Sequence, residues 1–254
     1  MLVAELVRPL RSILALADFS PKSDNAVARA ALLAREHGAT LHLLHVVAPR
    51  RFAVTALRGR QRDEAEVALE RAGLALAALA ARTAELHGVS VTCSARAGDS
   101  LQAILEGAEG ADLVVVAAKR PNPLRDFVLR TPTERLLRIV RRPMLIVKRP
   151  ALGAYGRTLL AGADAAEDGE VDRAAHCAAR AADELVVVAK DSRAAVGTFL
   201  LGRLAQRLVA HAAGDVLLLP TAAAHPADRK QAAATVSGSA RPIEAPPQGR
   251  PRTA

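Results

Sequence analysis

Aromatic residues are almost missing from this chain: its 254 residues hold no Trp, one Tyr and four Phe. The core must therefore be built from Ala, Leu and Val, and the stacking platforms that bind single-stranded nucleic acid are largely unavailable. Cysteine is nearly as scarce. Cys93 and Cys177 stand far apart without metal-ligand spacing, which excludes a disulfide framework or a zinc ribbon and fits a reducing, cytoplasmic compartment. No apolar run approaches the length of a membrane span. The opening MLVAELVRPLRS carries Glu5 early and has no uninterrupted apolar stretch before Arg8 and Arg11, so it does not read as a secretory signal.

What is present has an ordinary globular balance, 51% apolar and 24% charged, which excludes fibres and wholesale disorder. The length suits one large domain or two small ones. The formal charge is +9, and only five of the 35 basic residues are Lys. Such a field raises encounter rates with anions without naming one. An Ala- and Arg-biased composition also arises from mutational bias.

From Arg11 a short apolar run, Ile13 to Ala17, is followed by Ser20-Pro21, a good helix start: Ser accepts from orphan amides and Pro has none to leave unpaired. Val27, Ala30, Ala31 and Ala34 recur at helical spacing, and Gly38 supplies the stop. Leu41 to Val47 reads as the next strand, so the pair is parallel with a right-handed crossover. Residues 49 to 60 read as a basic loop, Asp63 to His87 as a long Ala-rich helix and Val89 to Ala95 as a third strand. Gly98-Asp99-Ser100 opens a helix to about Glu109. Asp112 to Ala118, Thr131 to Arg142 and Pro143 to Lys148 then read as strand, helix and strand. This completes a five-stranded alternating unit.

The second part repeats the first. LVVVA at 113–117 recurs at 185–189, and the same offset of 72 pairs Leu129 with Leu201, Arg135 with Arg207, Leu136 with Leu208, and MLIV at 144–147 with VLLL at 216–219. RSILALAD at 11–18 matches RTLLAGAD at 157–164 with an offset of 146, so the second copy lacks about 74 residues between its first and fourth strands. It retains counterparts of strands one, four and five. The expected organisation is a complete domain over 1–150, a truncated repeat over 151–220 and a disordered tail over 221–254, where Pro, Ala and Arg dominate without apolar periodicity.

ILALADFS followed by a helix, LHLLHVV, and DLVVVAAKRPNPLRDFVLRTPTERLLRIVRRPMLIVKR together resemble the universal stress protein family over about 11–149, and 157–220 resembles it in part. The resemblance implies an α/β, doubly wound parallel sheet of order 3-2-1-4-5. Under that order the absent strands two and three form one contiguous outer half, so the truncation leaves no hole. Some members bind ATP through G-x-x-G, nine residues and G-[ST] after the fourth strand, where glycines let backbone amides approach phosphate. The matching positions here are Ala117, Arg120 and Arg130, then Thr131: the glycines are gone and the hydroxyl remains. Pro121 and Pro123 remove further donors. Asp18 matches the acidic position near the nucleoside, and Val46 and Val47 match the strand-two region that lines adenine. In the second copy the loop positions are Ala189, Ser192, Gly202 and Arg203, and Asp164 matches Asp18, but no strand two exists to face a base.

Lys119, Arg120, Arg125, Arg130, Arg135, Arg138, Arg141 and Arg142 crowd one stretch. They form either an anion site at a switch-point loop or a solvated helix face opposite Leu136, Leu137 and Val140. His45 reads as a satisfied strand residue, His37 and His87 as structural residues near helix ends, where a cation favours the dipole, and Cys93 as a buried small hydrophobe. There is no nucleophile elbow, and the partners of a catalytic triad are not evident.

These readings give a non-enzymatic stress-response binding protein that lacks the standard ATP site. The alternative is a nucleotide-binding regulator using Asp18 with Arg120 and Arg130. No metal or cofactor is expected beyond that possible ATP, and neither nucleic acid nor a membrane is an expected partner. Two fifth strands in one chain, Met144 to Val147 and Val216 to Leu219, are expected to pair, either within the chain or between two copies, because an exposed apolar edge associates.

Overall fold

The computed structural model describes residues 9–47, 58–118, 136, 140–161, 184–190, 208–209 and 212–220. The first apolar run forms β1 (Ser12–Leu16), whose central residues are fully buried from both faces. Ser20 then caps α1 (Pro21–His37): its Oγ accepts from Ser23 N at 3.2 Å, and Pro21 occupies the first turn. Gly38 ends the helix with a φ of 63°, a left-handed conformation that an added Cβ disfavours. There follow β2 (Thr40–Val47), α2 (Arg58–His87), β3 (Val91–Ala97), α3 (Ser100–Glu109, capped by Asp99), β4 (Leu113–Ala117) and β5 (Met144–Val147). The later strands are β6 (Arg157–Ala161), β7 (Glu184–Lys190) and β8 (Asp215–Pro220).

All eight strands join one sheet of order β3-β2-β1-β4-β5-β8-β7-β6. The first five positions have the 3-2-1-4-5 order and pair in parallel. β6, β7 and β8 are also parallel to one another, and only the β5–β8 seam is antiparallel. Because successive side chains alternate across a strand, each strand feeds two layers. Ile13, Ala15, Leu41, Leu43, Val115 and Leu145 face α1 and α2, which contribute Ala26, Val27, Ala30, Ala31, Leu76 and Leu79. Leu14, Leu44, Val114, Val116, Met144 and Ile146 face Ile104 and Ala108 of α3, with Leu136 and Val140. Both layers run on across the seam: Val187, Leu217 and Leu219 belong to the first, Val186, Val188, Leu208, Val216 and Leu218 to the second.

The seam has a register of its own. Met144 lies opposite Leu218, Leu145 opposite Leu217 and Ile146 opposite Val216. By the offset of 72, Leu217 is the counterpart of Leu145, and the flanking pairs exchange counterparts. The interface is thus locally twofold about Leu145 and Leu217, the arrangement two identical strands adopt in an isologous contact.

A buried polar cluster fastens this seam. Asp215, 1% exposed at the start of β8, lies with its Oδ2 3.5 Å from Nε of Arg29, itself 1% exposed on α1. Tyr155 Oη donates to the same oxygen at 2.6 Å, and its ring lies 4.0 Å from the guanidinium carbon. The amides of Lys148 and Arg149 donate to Oδ1 at 2.8 and 3.3 Å. Arg29 also donates to Gly153 O, and Lys148 Nζ donates to Leu208 O and Ala212 O. One carboxylate therefore ties together α1, the end of β5, the connector and β8.

Several expectations are corrected in detail. α2 starts at Arg58, inside the stretch read as a basic loop, because Arg and Gln are good helix formers. β3 lies two residues later than its alternation suggested, where Val91 comes into register with Leu41. Cys93 is exposed, since β3 is the sheet edge and its face there is incompletely covered. His87 ends α2 as expected, and burial and then the Arg35 charge lower its pKa, favouring the neutral ring there. The tail from 221, Cys177, Leu129, Leu137, Leu201 and the Arg135–Arg207 pair lie outside the described residues.

Candidate crevice at the switch point

β1 stands where the chain changes direction across the sheet: β2 is added on one side and β4 on the other. Helices α1 and α3 consequently cover opposite faces, and the position beyond the carboxyl ends of β1 and β4 is the crevice where doubly wound sheets hold their ligands. The residues at this opening are those following each strand.

Beyond β1, Asp18 is exposed and its Oδ1 accepts from Ser20 N at 3.1 Å and from Ser20 Oγ at 2.5 Å. Its own amide donates to Ser23 Oγ at 3.0 Å, and that buried hydroxyl reaches Leu16 O at 3.4 Å. The carboxylate thus orders the start of α1, whose positive dipole end favours it. Phe19 adopts a φ of 59°, a left-handed conformation that costs a non-glycine residue about 1 kcal/mol. Its ring is exposed and tilts against His45, with centroids 4.6 Å apart. His45 Nδ1 donates to Ala17 O at 2.6 Å, so the imidazole is satisfied, as its place in a strand suggested.

Across the opening, Ala117 closes β4 opposite Val147 and is half-buried against the first layer. Lys22 Nζ, from the first turn of α1, donates to Ala118 O at 3.2 Å and bridges the crevice. Val46, near the end of β2, is half-buried against the second layer with Leu16, and Val47 pairs with Ala97. The structure therefore brings Asp18 and Ala117 to one opening, with Val46 on the neighbouring strand. Arg120, Arg130 and Thr131 lie outside the described residues, as do Lys119, Arg125, Arg135, Arg138, Asp164, Ser192, Gly202 and Arg203. Of the basic stretch, Arg141 and Arg142 are exposed, and Arg142 donates to Glu109 O. Sequence reasoning missed Phe19 and Lys22, because neither the turn at Phe19 nor a contact between residues 96 positions apart has a sequence signature.

Among the described residues no group of three or more His, Cys, Asp or Glu side chains could hold a metal ion, and no helix is long and apolar enough to cross a membrane. The polar groups at the crevice order a turn, tie α1 to the end of β4 through Lys22, and tie β2 to the end of β1 through His45. Such an arrangement can present donors and acceptors to a ligand.

The universal stress protein family model matches residues 9–148, more than half of the chain, and the chain belongs to that family. Its fold is similar to a universal stress protein from Archaeoglobus fulgidus DSM 4304, with TM-score 0.56, 12% identity, and 84% of this chain and 97% of the other covered. It is also similar to a protein of Pseudomonas aeruginosa PAO1 described as functionally unknown, with TM-score 0.50, 18% identity, and coverage of 85% and 94%. No curated protein matches the sequence.

Proposed function

We propose that this universal stress protein is a tandem member with a truncated second repeat, acting in the cytoplasm by binding rather than turnover and without the family's glycine-loop ATP site. The observation that carries the last point is the loop itself: Ala117, Arg120 and Arg130 stand where glycines would be needed, and Pro121 and Pro123 subtract amide donors. At the described part of the opening, Lys22 already bridges to Ala118 O and the Asp18 carboxylate is engaged with Ser20. Asp18 nevertheless remains exposed at a switch point, which keeps a nucleotide-binding regulator as the second reading. An anion held by the basic stretch, rather than nucleic acid, is the ligand class that fits the charge.

Three features support the tandem reading. β6, β7 and β8 pair in parallel in the sequence of counterparts one, four and five. The β5–β8 register is the one two equivalent strands adopt. The fold likeness to the Archaeoglobus protein covers 84% of the chain, more than residues 9–148 can supply. The truncated repeat would then serve as a built-in cap for the fifth-strand edge.

Titration of the full chain with labelled ATP tests the ligand reading. No saturable binding in the micromolar range is expected. Micromolar binding abolished by Asp18→Ala would establish the nucleotide-binding regulator instead.

A further inference from the structure

The twofold register of the seam raises a problem of specificity. If β8 fits β5 because it is the counterpart of β5, then the β5 of a second copy fits the same edge, with Leu145 opposite Leu145 and Met144 opposite Ile146. The three apolar pairs cannot distinguish the two partners. The polar cluster can. In the observed register Asp215 falls beside Val147, and the counterpart of Asp215 by the offset of 72 is Pro143. A second β5 would therefore bring a proline to the place where β8 brings a carboxylate.

We propose that Arg29 is the specificity determinant of the β5 edge: its buried guanidinium demands the carboxylate that β8 carries as Asp215, and so refuses the β5 strand of a second copy, which offers Pro143. Arg29 is 1% exposed, and Asp215 is the carboxylate beside it. A guanidinium held between a tyrosine ring and a backbone carbonyl needs an anion when water is excluded, and losing that anion is heavily unfavourable. Removing a wrong partner by leaving a charge uncompensated is an effective way to discriminate two otherwise equal fits. The edge is thus an interaction surface whose excluded partner is another copy of this chain.

The test transfers the carboxylate from one strand to the other in the full chain, reading mass by sedimentation velocity and strand protection by hydrogen exchange. The unaltered chain is expected to be monomeric, with Met144–Val147 and Val216–Leu218 both protected. Asp215→Ala is expected to speed exchange at both strands by about 100-fold or more, as loss of a buried pair's partner does. It should leave the chain monomeric and β1 and β2 protected. Adding Pro143→Asp to Asp215→Ala is expected to give a dimer in which Met144–Val147 regains protection and Val216–Leu218 does not. Adding Arg29→Met to Asp215→Ala instead is expected to restore protection of both strands, because the unpaired charge is gone. The idea is overturned if Asp215→Ala leaves exchange unchanged, if it dimerises without Pro143→Asp, or if the Pro143→Asp, Asp215→Ala chain stays monomeric. Should Asp215→Ala unfold the chain, failure of Arg29→Met to rescue it overturns the idea as well.

Discussion

Two side chains of the seam make its stability respond to pH in opposite directions. Burial, partly offset by Asp215, lowers the pKa of Lys148 from 10.5 to about 8. Between about pH 8 and 10.5 the unfolded chain therefore holds a proton that the folded chain has released, and stability rises with pH across that window. Below it both states are protonated, and the fold bears the desolvation of the ammonium. Thermal unfolding should show this rise, and Lys148→Met should flatten it. Tyr155 acts in the other sense. Burial first, then the charge and hydrogen bond of Asp215, push its pKa well above the ordinary value of 10.0. The folded chain keeps its phenol proton where the unfolded chain loses it, so stability falls as pH rises above about 10. Tyr155 is the sole tyrosine of the chain. Absorbance of tyrosinate should accordingly stay absent from the native protein at pH 11 and appear fully on adding denaturant. Native ionisation near pH 10 would show that the cluster is open to water. None of this was legible in the sequence, because Arg29, Tyr155 and Asp215 come from three distant segments and match no local pattern.

Elements were more legible than residues, for a physical reason. The Ala, Leu and Val runs that form β1, β4 and β5 are buried on both faces, so composition alone marks them, whereas β3 at the sheet edge is polar, and alternation placed it two residues early. Helix α1 was readable from its caps and from small residues on one face. Closeness of packing was not readable for α3. A Cβ on Gly107 would stand 3.2 Å from Leu44 Cδ2 and 3.4 Å from Leu14 Cδ2, and both leucines are buried. Alanine there gains helix propensity while crowding these tips, but a β-branched residue has no such compensation. Gly107→Val is expected to lower the free energy of unfolding by about 2 kcal/mol through overpacking, measured by urea titration. An unchanged midpoint would mean that α3 can move away from the sheet without loss. Of the candidate opening, Asp18, Ala117 and Val46 were singled out by the family resemblance, and they stand after β1, at the end of β4 and near the end of β2. The bridge from Lys22 to Ala118 was not legible, since it joins residues 96 positions apart.

At the scale of the molecule, the β5–β8 seam joins all eight strands into one sheet, and Met144 to Val147 have β8 on the edge that β4 leaves open. A chain ending at Pro150 would expose that edge together with the Arg29 guanidinium. Light scattering should find such a chain associating heterogeneously, whereas the full chain remains discrete. Arg29→Met in the shortened chain should convert the mixture to a defined dimer. A shortened chain that stays a soluble monomer would show that β8 is dispensable as a cover.

The reversal of strand direction at the seam also decides what the surroundings can see. In a purely parallel sheet every strand would finish on the same rim, and any groups gathered at strand ends would share one side of the molecule. Here β1 to β5 finish on one rim, while β6, β7 and β8 finish on the opposite one. The opening around Asp18 and Lys22 and the ends of the later strands therefore point away from each other, like the two heads of Janus. A ligand bound beyond β1 and β4 would therefore lie on the rim where β6, β7 and β8 begin, not the one where they end.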